Sequence, residues 1–135
     1  FVYSGYPGEI VSSKITSKKN LIHCHPGILP KFKGSTTLYY SLLLDKKIHC
    51  TCIQLNNNID EGKILYIKKF SNPKKISLIE NEYDNLIRSK TLVEYLKKGK
   101  QKKLKTNKKI NYQHYYVAHP LIRQIVIGKK ALKLG

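Results

Sequence analysis

Two prolines four positions apart, each restraining the residue before it, make residues 23–35 the most confined stretch of this 135-residue chain: His23-Cys24-His25-Pro26-Gly27-Ile28-Leu29-Pro30-Lys31-Phe32-Lys33-Gly34-Ser35. A proline fixes its own φ and pushes its predecessor, here His25 and Leu29, toward extended angles. The stretch therefore cannot be the inside of a helix. Leu21–His23 in front of it reads as a strand, and Gly34-Ser35 behind it as a joint and N-cap for a helix over 36–45 with Leu38, Tyr39, Leu42 and Leu43 turned inward. A loop this stiff loses little further entropy on ordering, which suits it to holding a histidine at one angle.

A second stretch answers it. Residues 48–55 alternate and are β-rich, with Cys50, Cys52 and Gln54 on one side and Thr51, Ile53 and Leu55 on the other. Residues 64–70 read as the return strand, and so short a connection predicts antiparallel neighbours. Between them lies the acidic turn 56–62, which carries Asp60. Upstream, residues 1–4 read as a short strand, 5–8 as a turn, and 9–18 as a short helix with Ile10, Val11 and Ile15 inward. After Asn72-Pro73 a long helix is expected, opened by a capping box at Ser77 and Glu80. Its apolar face would hold Ile79, Tyr83, Leu86, Ile87, Val93 and Leu96, with Lys90 on the same side. The class is α/β, organised as a core over 1–96, a lysine-rich solvated connector over 97–109 and an aromatic, then helical, tail over 110–135.

The net charge of +18 invites a nucleic-acid reading. Yet of 26 basic side chains only Arg88 and Arg123 are arginine, the usual reader of bases and phosphates, so a specific nucleic-acid partner is not expected and the lysines read as solvated. No apolar run approaches the roughly 20 residues of a membrane span, so no membrane partner is expected. Three cysteines without a disulfide framework point to a reducing, cytoplasmic setting. Zinc is not expected either: His23-x-His25 and Cys50-x-Cys52 lack the spacing of structural zinc pairs. Cys24 reads as a small buried residue, not a nucleophile.

The remaining chemistry is an acid/base pair. When an amine attacks an acyl or formyl carbon, negative charge grows on the carbonyl oxygen and the amine must lose a proton. A protonated imidazole can stabilise that charge, and a carboxylate beside it favours the charged ring and can accept the proton. His25 and Asp60 are the candidates.

The pattern His23-x-His25-Pro26-Gly27-x-Leu29-Pro30-x-Phe32-Lys33-Gly34-Ser35, followed by Ile59-Asp60-x-Gly62-x-Ile64, resembles the formyltransferases that use 10-formyltetrahydrofolate. The resemblance covers roughly residues 2–70 and implies a Rossmann-like fold with a mixed sheet and flanking helices. It implies His25 and Asp60 as catalytic residues, with 10-formyltetrahydrofolate as co-substrate. Gly5, Tyr6, Gly8, Glu9 and Ile10, with Asn57, Asn58 and Ile59 closing over them, would hold the folate. Pro26, Gly27, Lys33, Gly34, Ser35 and Tyr115 would meet the acceptor. His23 departs from the pattern, standing where the family has an asparagine that holds the formyl oxygen; an imidazole N–H could donate from a similar place. Family members also have βα units ahead of the strand at residues 1–4, so the chain reads as the carboxyl-terminal part of a longer catalytic domain.

For the acceptor, the loop and the helix after it look most like the proteins of bacterial surface-sugar synthesis, which implies an amino sugar or nucleotide-linked amino sugar. A methionyl-tRNA formyltransferase-like enzyme and a non-catalytic binding protein with an RNA-tolerant surface are the alternatives, and a homodimer is left open. Tyr112, His114, Tyr115, Tyr116 and His119 of the tail would either line the acceptor site or form a small aromatic core.

Overall fold

Three strands, β1 (Ile22–His25), β2 (Ile48–Gln54) and β3 (Lys63–Phe70), form one sheet in the order β1-β2-β3, each pair antiparallel. The structure, a computed structural model, describes residues 1–5, 9–99 and 116–131. A parallel bridge between Val2 and Ile22 adds the opening segment to the other edge of β1, so the sheet is mixed. Tyr3 N–H donates to the Ile22 carbonyl and Ile22 N–H to that of Phe1, both at 2.8 Å. The strand expected at residues 1–4 is thus reduced to one bridge.

The helices are α1 (Ser13–Thr16), α2 (Thr37–Tyr40), α3 (Asp84–Lys98) and α4 (Pro120–Ala131). α2 runs on into a wide π turn, Ser41–Asp45. α3 lies across all three strands, and α4 packs on α2 and on the 3-10 turn Ile76–Leu78. β2, the middle strand, is buried on both faces, as an inner strand should be. Its Cys50 and Cys52 join Cys24 in the core with Ile87 of α3, while Thr51 points to the opposite side. Ile48, Ile53, Ile79 and Ile87 are almost fully enclosed. Each such side chain contributes on the order of 1.5–3 kcal/mol relative to exposure.

Four local expectations are corrected. The helix expected over 9–18 is confined to one turn, because the Ser12 hydroxyl caps Lys14 N–H and starts the helix late. Ile10 and Ile15 are exposed, not inward. Thr36, not Ser35, occupies the N-cap of α2, and its hydroxyl accepts from Ala118 N–H instead of capping the helix. The long helix opens through the 3-10 turn and a π turn, Ile79–Tyr83, without a side-chain cap. The π turn holds more residues per turn, so a 3.6-residue count carried from Ile79 loses phase. Ile87 and Thr91 come inward, and Leu86, Val93 and Leu96 face outward.

α3 continues to Lys98, two residues beyond the expected core boundary at 96. Most of the expected connector, with Tyr112, His114 and Tyr115, lies outside the described residues, as do Tyr6 and Gly8. Among the described residues no helix is long and apolar enough to cross a membrane.

Candidate active site

The loop after β1 is held by side chains of its neighbours. Thr51 Oγ1 donates to the Gly27 carbonyl at 2.6 Å and accepts from Leu29 N–H at 3.2 Å. Thr37 Oγ1 donates to the Pro26 carbonyl. Gly27 N–H returns to the His25 carbonyl at 3.0 Å, and the Leu29–Pro30 peptide is cis. These bonds leave His25 only 2% exposed. Its Nε2 lies 2.7 Å from the Phe32 carbonyl, which can only accept, and its Nδ1 lies 3.1 Å from Asp60 Oδ1.

Asp60 arrives from the β2–β3 connection. Asn56 Oδ1 accepts from Asn58 N–H at 3.0 Å, an Asx turn that reverses the chain. Asp60 sits at φ 55°, a left-handed conformation that aspartate tolerates better than most residues. Its second oxygen accepts from Gly34 N–H at 2.8 Å. Burial alone would raise the Asp60 pKa, but the hydrogen bond and charge of His25 and the Gly34 N–H outweigh it and hold the carboxyl below its usual range. Next door, Lys33 Nζ meets Glu61 Oε1 at 2.8 Å. The two loops are thereby joined at three points.

Both histidines and Asp60 line a cleft of about 670 Å³. Of the expected folate-side residues, Gly5, Glu9, Ile10, Asn58 and Ile59 line it. Asn57 does not: its Oδ1 accepts from the Thr16 hydroxyl at 2.6 Å on the outer side of the turn. Of the expected acceptor residues, Gly34 and Ser35 line the cleft. Pro26, Gly27 and Lys33 instead build the loop, with Gly27 and Lys33 buried inside it.

Of the two routes left open for the tail aromatics, Tyr116 takes the second. Tyr116 N–H donates to the Lys33 carbonyl at 2.6 Å, and its ring packs on Phe32 and Tyr40 with centroids 5.4 and 4.7 Å away. Gly34, at φ 116°, admits this segment, since a Cβ there would run into the Tyr116 backbone. Tyr116 is thus a small aromatic core, and Val117, not Tyr116, lines the cleft. His119 is exposed, its Nδ1 accepting from Leu121 N–H at 3.2 Å at the start of α4.

Sequence reasoning missed Arg88, Asp84 and Asn85, which close the cleft from the start of α3. Arg88 Nε meets Asp84 Oδ1 at 2.8 Å and Nη1 donates to the Cys24 carbonyl at 2.8 Å. A signal was present: an arginine four residues after an aspartate, one of only two arginines in a lysine-rich chain. The Cys24 thiol is lowered by its contact with Cys50, but the Cys52 contact and burial push it up to about 12, which makes it a poor nucleophile. Among the described residues no cluster of ligand-type side chains could hold a metal ion.

A family model described as formyl transferase matches residues 3–83. The chain is 33% identical over 84 residues to the methionyl-tRNA formyltransferase of Ehrlichia ruminantium (strain Gardel), a match covering 58% of this chain and 28% of that protein. A sugar N-formyltransferase from a Shewanella species superposes with a TM-score of 0.60 at 23% identity, over 88% of this chain and 56% of that one. The formyltransferase PseJ from Anoxybacillus kamchatkensis, solved with UDP-4,6-dideoxy-4-formamido-L-AltNAc and tetrahydrofolate, gives a TM-score of 0.55 at 20% identity, over 66% and 49% of the two chains. The chain therefore spans about a quarter of its curated relative and about half of these solved neighbours.

Proposed function

We propose, from the premise that the chain belongs to the formyl transferase family, that it moves a formyl group from 10-formyltetrahydrofolate to the amine of an amino sugar or nucleotide-linked amino sugar. The carrying observation is the contact, 3.1 Å long, between His25 and Asp60, both of which line one cleft. In this reading the Nε2–H of His25, held by the Phe32 carbonyl in this structure, exchanges that partner for the formyl oxygen as charge develops there. Asp60 holds the ring's other nitrogen and stabilises its charged form. The apolar Ile10, Val11, Leu55 and Ile59 offer a surface for a flat heteroaromatic ring, and Glu9, Asn56 and Asn58 add polar groups beside it, a lining suited to the folate.

The sugar acceptor is supported by the solved neighbours, one of which holds a formamido sugar nucleotide. A second reading, transfer to a methionyl initiator tRNA, is favoured by the curated relatives and by the charge of +18. Two parallel assays separate them, each following tetrahydrofolate release from 10-formyltetrahydrofolate. One supplies UDP-4-amino-4,6-dideoxy-L-AltNAc and the other methionyl-tRNA. Release with the sugar alone is expected; release with the tRNA alone transfers the assignment to the second reading. His25→Ala and Asp60→Ala should each lower the rate by about 10²–10⁴-fold, and an unchanged rate in either removes that residue from the chemistry.

A further inference from the structure

The cleft holds two histidines one residue apart, and their surroundings are opposite. His25 faces an acceptor on each ring nitrogen: the Phe32 carbonyl at Nε2 and the Asp60 carboxylate at Nδ1. A ring so placed is built to donate. His23 faces one acceptor, the Tyr3 carbonyl, 3.4 Å from Nδ1. A carbonyl cannot donate, so Nδ1 carries the hydrogen. The neutral ring then keeps its lone pair on Nε2, which has no hydrogen-bond partner among the described residues.

The charges around His23 favour that neutral form. Arg88 approaches from α3, its guanidinium fixed by Asp84 and by the carbonyl of Cys24, the residue between the two histidines. His25 adds a repulsive charge when protonated, whereas Asp60 and the Tyr3 carbonyl pull the other way. Burial and then Arg88 prevail, and the pKa of His23 lies below its ordinary value. Asp60 is poorly placed to take a proton from substrate, because one oxygen meets His25 and the other Gly34 N–H.

We propose that His23 is the proton acceptor of the transfer reaction, and that Arg88, bonded to the carbonyl of Cys24 beside it, is its positioning residue. The assignment rests on the formyl-transfer reading. The amine nitrogen forms a bond to the formyl carbon while the C=O π pair moves to oxygen, opposite His25. The proton released by that nitrogen passes to His23 Nε2. Collapse of the adduct restores C=O and breaks the bond to the folate nitrogen, which takes the proton back from His23, leaving a formamide and tetrahydrofolate. The role is the reverse of the one expected from the sequence, in which His23 stood in for an asparagine as donor to the formyl oxygen. An amide donates but does not collect a proton near neutral pH, so the two roles respond differently to the same substitution.

The test has a ligand-free arm and a kinetic arm. In protein labelled with ¹⁵N-histidine, long-range proton–nitrogen spectra should show His23 as the Nδ1–H tautomer at pH 7. Arg88→Gln should raise its titration midpoint, whereas Arg88→Lys, which keeps the charge, should raise it less. In the tetrahydrofolate-release assay with whichever of the two acceptors reacts, the pH profile should fall off on the acid side as His23 protonates. His23→Asn should lose that limb and about 10²-fold in rate, and be no better than His23→Ala. An Nε2–H tautomer, a midpoint unmoved by Arg88→Gln, or a His23→Asn variant near wild-type rate overturns this role alone. A wild-type protein that releases no tetrahydrofolate with either acceptor overturns the transfer reading, and this role with it.

Discussion

Thr51→Val should destabilise the protein even though it puts a better strand former and a more apolar side chain at a fully buried position. The two side chains have nearly the same shape, so no cavity forms and the hydroxyl is isolated as the variable. That hydroxyl is the joint between β2 and the catalytic loop. Without it the Gly27 carbonyl and the Leu29 N–H each lose their side-chain partner. A buried backbone group left without a partner costs about 1–3 kcal/mol, so the two together cost roughly 2–6. The added methyl returns on the order of 0.8 kcal/mol, leaving a net loss of about 3. Thr51→Ser keeps both bonds and gives up one methyl, a loss of roughly 0.5–1.5 kcal/mol by analogy with Ile→Val. Urea titrations of the three proteins at one pH, with unchanged slopes, give these differences directly. The order should be wild type, then serine, then valine. A valine variant as stable as wild type, or more stable than the serine variant, would refute the claim that these bonds hold the loop.

Gly34→Ala should cost about 3 kcal/mol in the same titration, since φ 116° is closed to alanine and a Cβ would push on the Tyr116 backbone; a loss below 1 kcal/mol would mean that residues 116–118 do not dock on the loop. Acidification should lower stability in two steps. His23, depressed by burial and Arg88, and His49, depressed by burial and Lys69, both resist a proton that the unfolded chain accepts, so stability present above the ordinary histidine value of 6.5 is lost as pH falls below it. Asp60, held below 3.8, adds a second loss below that value as its carboxylate is protonated. Unfolding free energies across this range check both steps, and His23→Asn should shrink the first and spare the second.

The sequence carried the sheet and the loop because their signals are local. Residues 48–55 alternate in sequence and 64–70 follow as a short-linked return strand, the prolines confine residues 25–30, and His25 and Asp60 sit at the ends of the elements that present them. What it did not carry depends on partners far along the chain. Arg88 reaches the site only because α3 crosses the sheet and brings it to the Cys24 carbonyl, 64 residues away. The exposed Leu86, Val93 and Leu96 lose their apparent core face to one wide turn, which no count at a fixed period can register. His23 shows the same limit chemically. Its position was visible in the motif, but its role depends on which nitrogen faces the Tyr3 carbonyl.

Asp60 shows how the site holds an unfavourable conformation. A non-glycine residue at φ 55° costs about 1–3 kcal/mol relative to ordinary backbone, and that cost falls on the residue facing His25. The carboxylate accepts one bond from the ring and one from the Gly34 amide, and bonds to a charged group contribute roughly 1.5–3 kcal/mol each. The left-handed turn is therefore stable only while both loops are together. Glycine at 34 serves the same arrangement from the other side: its φ admits the Tyr116 segment behind it while its N–H holds Asp60 in front. A tail residue and a catalytic candidate thus share one glycine, which makes the tail part of what shapes the cleft although Tyr116 itself does not line it.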